Sequence, residues 1–263
     1  MENNNKNGNL EEHKHNSQDK ELKRKRYSFN DLINLAKEIK DENLRDKVIN
    51  FLKNPFPTHK DIENTNIAIE DSPASIKWHH KYRGGLIEHI LATTKIALKI
   101  SEAFEEVYSL EIDRDIIIAG GLLHDIMKPF NYVEDIENEK YDHISKFHLE
   151  HLTLAVAELY KQDFPMEVIK MVATHHGKHG SMEPDSIEGW ILHYSDNIDA
   201  SLNDIAIKIC QARARDMKVE ENEIYDLFTP LKIYEIRAKE GKEKLKDKLS
   251  KIFKPLESED SNK

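Results

Sequence analysis

The chain of 263 residues contains a single cysteine, Cys210. This excludes a disulfide framework within the chain and a zinc site built on several thiolates. Cys210 itself reads as a small apolar residue in a helix. Long apolar runs are missing as well. The longest, Ile116 to Leu123, is far short of the ~20 residues that cross a bilayer. The first 26 residues are mostly Asn, Lys, Glu and His, without the apolar segment of a secretory signal, so a cytoplasmic location is expected and no membrane partner. A positive balance is lacking too. The formal net charge of -10 provides no global field to attract nucleic acid. The one basic run, Lys23-Arg24-Lys25-Arg26, reads as part of a solvated tail. Neither a good strand-like alternation nor an internal repeat is visible.

Helical periodicity is what the chain has. Leu32, Leu35, Ala36 and Ile39 follow a start signal at Ser28 to Asp31. Leu44, Val48, Ile49 and Leu52 mark a second helix, stopped at Asn54-Pro55. A loop over 58–76 precedes a long amphipathic helix from Gly84. An apolar helix from Ile112 to Met127, closed by Pro129, belongs at the centre of a bundle. Further helices are expected over His143 to Tyr160, from Pro165 to His175, over Ser186 to Arg213 (as one or two) and over Lys242 to Phe253. The fold class is all-α, an irregular helical bundle. Its divisions are a disordered polar tail over 1–26, N-terminal helices and loop over 27–77, a central domain over 78–215 and a helical extension over 216–263.

The chain has 14 histidines, most of them between His79 and His193. His89 falls early on the Gly84 helix, and His124-Asp125 at the end of the central apolar helix. His148 and His151 share one helix face, His175 and His176 end the next helix, and Asp196 lies inside the following one. Each alone reads as readily as a surface polar group. A carboxylate on so apolar a helix, however, must be paired or bind a metal, because an isolated buried charge is too costly. Imidazole and carboxylate donors suit Fe, Mn, Zn, Co or Ni. A carboxylate can also bridge two ions about 3.5–4 Å apart. Lys128, one turn beyond His124, is placed either to neutralise a phosphate or to interact with the helix dipole. His79, His80 and Arg83 precede the long helix and are candidate substrate contacts. Gly84-Gly85 offers a close backbone approach at a helix start. Tyr82, Tyr132 and Tyr141 are candidate stacking residues, each reading more readily as structural.

The order His89, His124-Asp125, His151, His175-His176, Asp196 resembles the HD superfamily of metal-dependent phosphohydrolases over residues 78 to 215. Local context carries the resemblance: Trp78-His79-His80-Lys81-Tyr82-Arg83-Gly84-Gly85-Leu86-Ile87-Glu88-His89, Gly120-Gly121-Leu122-Leu123-His124-Asp125-Ile126-Met127-Lys128, Thr174-His175-His176-Gly177 and Ile191-Leu192-His193-Tyr194-Ser195-Asp196-Asn197-Ile198-Asp199-Ala200. Two subfamilies combine such motifs. One is the archaeal phosphodiesterases that open dihydroneopterin 2′,3′-cyclic phosphate in tetrahydromethanopterin biosynthesis; the other is the bacterial 3′–5′ exoribonucleases. Chain length, the Lys/Ile/Asn-rich composition and Lys77-Trp78-His79-His80 favour the archaeal group. The acidic balance and the helical reading of 27–77, where the exoribonucleases would carry an OB-type domain, disfavour RNA.

The resemblance implies a catalytic centre at His124, Asp125 and Lys128. It also implies a binuclear divalent-metal cofactor, with Fe2+ or Mn2+ favoured. One ion would be held by His89, His124, Asp125 and Asp196. The second would share Asp125 and take His151, in preference to His148, with His175 or His176. The expected partner is a small-molecule phosphate ester. Oxygen-dependent chemistry on a di-iron centre and a non-catalytic nucleotide sensor are the other readings the fold admits.

Overall fold

The computed structural model describes residues 24–135, 137, 140–144 and 149–253. The polar tail up to residue 23 and His148 lie outside them. Among the described residues are ten α-helices and one short hairpin. In chain order the helices are α1 (Phe29–Ala36), α2 (Glu42–Lys53), α3 (Gly85–Tyr108), α4 (Arg114–Leu123), α5 (His151–Lys161), α6 (Met166–Thr174), α7 (Ile187–Met217), α8 (Glu221–Leu227), α9 (Pro230–Glu240) and α10 (Lys242–Ile252). The hairpin pairs β1 (Tyr132–Asp135) antiparallel to β2 (Lys140–His143), with Tyr132 opposite His143.

The chain divides into two units, residues 27–204 and residues 205–253 with 24–26, and α7 passes from the first into the second. In the first unit, α4 is the axis. It packs on α3 and α6 and is covered by α1 and α2, while α5 lies against α6. Its residues Ile116 to Leu123 are all buried, as expected of an apolar stripe that runs right round a helix. Ile87 and Ile90 of α3, Leu154 of α5, Val172 of α6 and Leu192 of α7 share the same core.

The boundaries of α4 are tighter than hydrophobicity suggests. The Asp113 carboxylate accepts from the backbone N–H groups of Asp115 and Ile116 at 3.0 and 3.2 Å, which starts the helix at Arg114. The helix ends at Leu123, and the chain turns into a 3-10 segment, Lys128–Asn131, whose Pro129 cannot donate to an α-helical ladder. The helix expected over His143 to Tyr160 is corrected. His143 ends β2, and α5 begins only at His151. Apolar spacing is weak before Leu152. The backbone at this point is instead engaged in the hairpin and in the Ile144 N–H bond to the Asn131 carbonyl at 3.0 Å. So short and polar a hairpin leaves little trace in a hydrophobic pattern. The span from Ser186 to Arg213, read as one or two helices, is a single helix, α7, from Ile187, and it continues to Met217.

In the second unit, Cys210, Ile224, Phe228, Ile233, Leu245 and Leu249 are buried. Burial pushes the Cys210 thiol up to about 12, in keeping with an inert packing residue. Two arginines of the basic run are held here. Arg24 donates to the Tyr225 carbonyl at 2.8 Å, and Arg26 pairs with Asp226 at 2.6 Å. No helix among the described residues is long and apolar enough to cross a membrane.

Two adjacent glycines let the core helices close around α4. A Cβ at Gly120 would stand 2.8 Å from the Met171 side chain of α6, and one at Gly121 2.6 Å from Thr94 Oγ1 of α3. Thr94 is fully buried, and its hydroxyl donates to the Ile90 carbonyl at 2.7 Å, so it has little room to move. Alanine at 121 would gain about 1 kcal/mol of helix propensity against an overpacking cost of about 1–3 kcal/mol. Gly121→Ala should therefore lower the thermal unfolding midpoint by a few degrees. A raised midpoint in the same scan would show that α3 and α4 separate without cost.

Candidate metal centre

Four helix ends and one helix interior deliver the expected ligands to one place. His89 lies on the second turn of α3, His124 caps the C-terminus of α4, and Asp125 follows it. His151 is the first residue of α5, His175 caps α6 with His176 next, and Asp196 lies on α7. His89, His124, Asp125, His151 and His175 are all buried.

Asp125 is at the middle. Its Oδ2 stands 3.2 Å from His89 Nε2, 3.4 Å from His124 Nε2 and 2.5 Å from Lys128 Nζ. Its Oδ1 faces the other way, 3.3 Å from His151 Nε2 and 3.6 Å from His175 Nε2. Asp196 Oδ1 lies 3.1 Å from His89 Nε2. The donor atoms of His89, His124 and Asp196 lie within 4.8 Å of one another, and so do those of Asp125, His151, His175 and His176.

The orientation of the rings follows from what their other nitrogens bond. A backbone carbonyl can only accept, so Nδ1 of His124 donates to Gly121 at 2.8 Å and Nδ1 of His175 to Val172 at 2.7 Å. Each of these histidines thus satisfies a carbonyl that its own helix end would otherwise leave open. His89 Nδ1 lies 2.7 Å from Asp199 Oδ2, and His151 Nδ1 lies 2.8 Å from Glu150 Oε1. In all four rings, Nε2 is left as the inward atom. This is the arrangement in which outer partners fix the tautomer of a metal-binding imidazole.

Electrostatics also suit a cation. For His89, burial opposes protonation, but bonds to Asp125, Asp196 and Asp199 outweigh it and hold the pKa well above the usual imidazole value. His151 is raised in the same way, by Asp125 and Glu150 against burial. For Asp125, burial is outweighed by the charges of Lys128 and His124, which hold the carboxyl well below its usual range. Asp196 is held low by His89, again against burial. His175 and His176 go the other way. Burial lowers both, His176 to about 4 with His175 adding to the effect. The carboxylates therefore stay ionised, and positive charge must gather round them. Two atoms remain poorly satisfied: Asp125 Oδ1 and His151 Nε2 are buried and face one another at 3.3 Å, but neither has a well-formed hydrogen bond. Such orphans are costly. A divalent cation would satisfy both, and a mixed imidazole and carboxylate donor set is one that transition metals accept. The residues fit the group.

The candidate substrate contacts divide. His80 is buried with a positive φ of 45°. Its N–H donates to Asn203 Oδ1 at 2.7 Å, and its Nδ1 lies 3.6 Å from Asp199. The His79 ring lies 4.7 Å from that of His89, and burial, with His89 adding to it, pushes its pKa down. His79, His80 and His89 form a third group with donor atoms within 4.8 Å. The Arg83 guanidinium pairs with Asp71 at 2.8 Å and reaches Glu134 at 3.8 Å, so protein carboxylates engage it. The tyrosine hydroxyls serve the scaffold, Tyr82 donating to Glu88 at 2.8 Å, Tyr132 to the Ala74 carbonyl at 3.2 Å and Tyr141 to the Asp71 carbonyl at 2.8 Å. Gly85 permits a close contact inside the protein, since a Cβ there would stand 2.1 Å from the His80 carbonyl oxygen.

Asp199, Glu150 and Asn203 were not singled out by sequence reasoning, although they bond the site histidines. A signal for two of them existed. Asp196, Asp199 and Asn203 are spaced at i, i+3 and i+7, one polar face of a helix turned toward the core. Asp199→Ala would remove the acceptor that orients His89. Retained metal, measured after dialysis against a competing chelator, should reflect an affinity roughly ten- to hundredfold lower. Asp199→Asn, which keeps an acceptor oxygen, should lose less. Equal retention by the alanine variant and the unaltered chain would show that packing alone orients His89.

The HD domain family matches residues 86–201. The dihydroneopterin 2′,3′-cyclic phosphate phosphodiesterase of Methanocaldococcus jannaschii is 57% identical over 234 residues, which is 88% of this chain and 94% of that protein. The 3′–5′ exoribonuclease YhaM of Bacillus subtilis is 33% identical over 143 residues, 51% of this chain and 44% of that protein. The YhaM of Bacillus licheniformis is 32% identical over the same length. No solved structure matches. With its HD-domain match, its extended identity to a phosphodiesterase and the expected histidines and aspartates gathered at one centre, the chain belongs to the HD-domain family of phosphohydrolases.

Proposed function

We propose that the protein is a metal-dependent phosphodiesterase that opens 7,8-dihydroneopterin 2′,3′-cyclic phosphate to a phosphomonoester. The observation that carries the reaction class is the division of Asp125, whose two oxygens face two different sets of imidazoles. Similarity along nearly the whole of the Methanocaldococcus jannaschii enzyme supports the substrate. The exoribonucleases support an RNA substrate less well. The chain spans less than half of their length, and residues 27–77 carry α1, α2 and a loop with no strand among the described residues.

His89, His124, Asp125 and Asp196 are proposed to hold one divalent ion, and Asp125, His151, His175 and His176 a second, with Fe2+ or Mn2+ favoured. Such ions, when bound, polarise a phosphoryl group and lower the pKa of water. The chain's own residues do the rest. Asp199, Glu150 and the carbonyls of Gly121 and Val172 hold the rings in register, so nothing reorganises as charge develops. Lys128, buried beside Asp125, keeps its proton because the carboxylate outweighs the opposing effect of burial. Its ammonium is placed to balance negative charge on a phosphate. In the reaction a water oxygen bonds to phosphorus, one ring P–O bond breaks, and the departing oxygen of the three-carbon side chain takes up a proton.

The test is a screen of the full chain, stripped with chelator and reloaded with Fe2+ or Mn2+, on the cyclic pterin phosphate, cyclic nucleotides and single-stranded RNA. The expected result is metal-restored conversion of the cyclic pterin to a monoester without shortening of RNA, and loss of that conversion with Asp125→Ala. Progressive RNA shortening, or turnover that survives Asp125→Ala, would refute the reading.

A further inference from the structure

Three tyrosines considered for stacking are used by the scaffold through their hydroxyl groups. A different aromatic precedes one of the clustered histidines in the chain. Trp78 directly precedes His79, whose ring lies 4.7 Å from His89, and it is 61% exposed. An indole contributes more apolar area than any other side chain and is usually spent on packing. The other tryptophan shows the usual case. Trp190 is stacked on Tyr194, with ring centroids 5.8 Å apart at 24°. Among the described residues, Trp78 has no ring partner.

The segment that presents Trp78 is held firmly. The Ala74 N–H donates to the His80 carbonyl at 3.1 Å, closing a small loop with Trp78 near its end. Ser75 Oγ accepts from the N–H groups of Lys77 and Trp78 at 3.3 and 3.1 Å. His80 is anchored to Asn203, and Gly85 lets the long helix pass within contact of the His80 carbonyl. These bonds close the loop without needing the indole. A large aromatic surface is therefore displayed on an anchored loop, one residue before His79, whose ring lies 4.7 Å from that of the centre's His89. Ligand sites are commonly lined in this way, with aromatic walls beside a few polar groups, and a pre-ordered wall binds at lower entropic cost.

We propose that Trp78 is the stacking surface for the planar heteroaromatic ring of the substrate and so sets its specificity. This deepens the function proposed above and rests on it. The phosphate end of the substrate occupies the histidine and aspartate centre. The fused ring, joined to it by a three-carbon chain, lies on the indole at the rim. Trp78 takes no part in bond breaking, so its contribution falls on binding.

The experiment uses the metal-loaded full chain. Trp78→Ala should raise KM for the cyclic pterin phosphate roughly five- to hundredfold, the range that removal of one base-stacking aromatic produces. The value of kcat and the metal content should stay within about twofold of the parent, and Trp78→Phe should recover most of the affinity. In a Trp190→Phe background, neopterin, which has the ring but no phosphate, should quench the remaining Trp78 emission after correction for its own absorption. An unchanged KM in the alanine variant overturns the proposal, as does the absence of quenching at saturating neopterin. A fall in thermal midpoint with unchanged ligand affinity would assign Trp78 to the scaffold and also overturn it. If the parent chain does not turn over the cyclic pterin, the proposed function fails, while the neopterin titration still decides whether Trp78 receives a planar ring.

Discussion

Asp125 carries an ionised carboxylate into a place almost closed to solvent, and the rest of the first unit is arranged around that fact. Burial alone would force the group to neutralise. Lys128, His124, His89, His151 and His175 surround it instead, from one side or the other. Even so, one carboxylate oxygen and one imidazole nitrogen are left without well-formed hydrogen bonds. A well-packed protein tolerates few such orphans, and their meeting in one place is the clearest physical sign that the centre is made for a cation.

The helices solve a related problem at the same time. A helix end leaves carbonyls without partners, and a buried end must satisfy them. His124 and His175 do so by donating Nδ1–H to a carbonyl three residues back. That bond turns Nε2 toward Asp125. Helix termination and ligand orientation are thus one interaction at α4 and again at α6. Gly120 and Gly121 contribute by bringing the backbone of α4 close to α3 and α6, so that short side chains span the gap. Behind His89, Asp199 does with a carboxylate what the backbone carbonyls do elsewhere. His80 and Asn203 extend that polar layer to the rim loop, and so tie the surface that presents Trp78 to the interior.

Much of this was legible without coordinates. The apolar run Ile116 to Leu123 marks a buried helix because no amphipathic alternative exists for it, and a carboxylate two residues beyond it needs compensation wherever the chain goes. The order of histidines and Asp196 on successive helices carries the family resemblance. The hairpin was not legible, since residues 132–135 and 140–143 are short and largely polar, and their pairing depends on contacts distant in sequence such as Tyr141 with Asp71. Arg83 is a similar case. Its position before the long helix suggests a phosphate contact, while its partners, Asp71 and Glu134, come from separate segments of the chain.

The sequence by itself determined the elements and the chemical types, because helical periodicity and the cost of a buried charge are local properties of composition and spacing. It placed His89, His124, Asp125, His151, His175, His176 and Asp196 as ligand candidates, and it left open how His175 and His176 divide the work. Only the tertiary structure decided which oxygen of Asp125 faces which imidazole, that His175 and His176 both lie within reach of it, and that Asp199 and Glu150 stand behind the rings. Those are distances between residues far apart along the chain. They are set by how closely α3, α4, α6 and α7 pack, which no local pattern records.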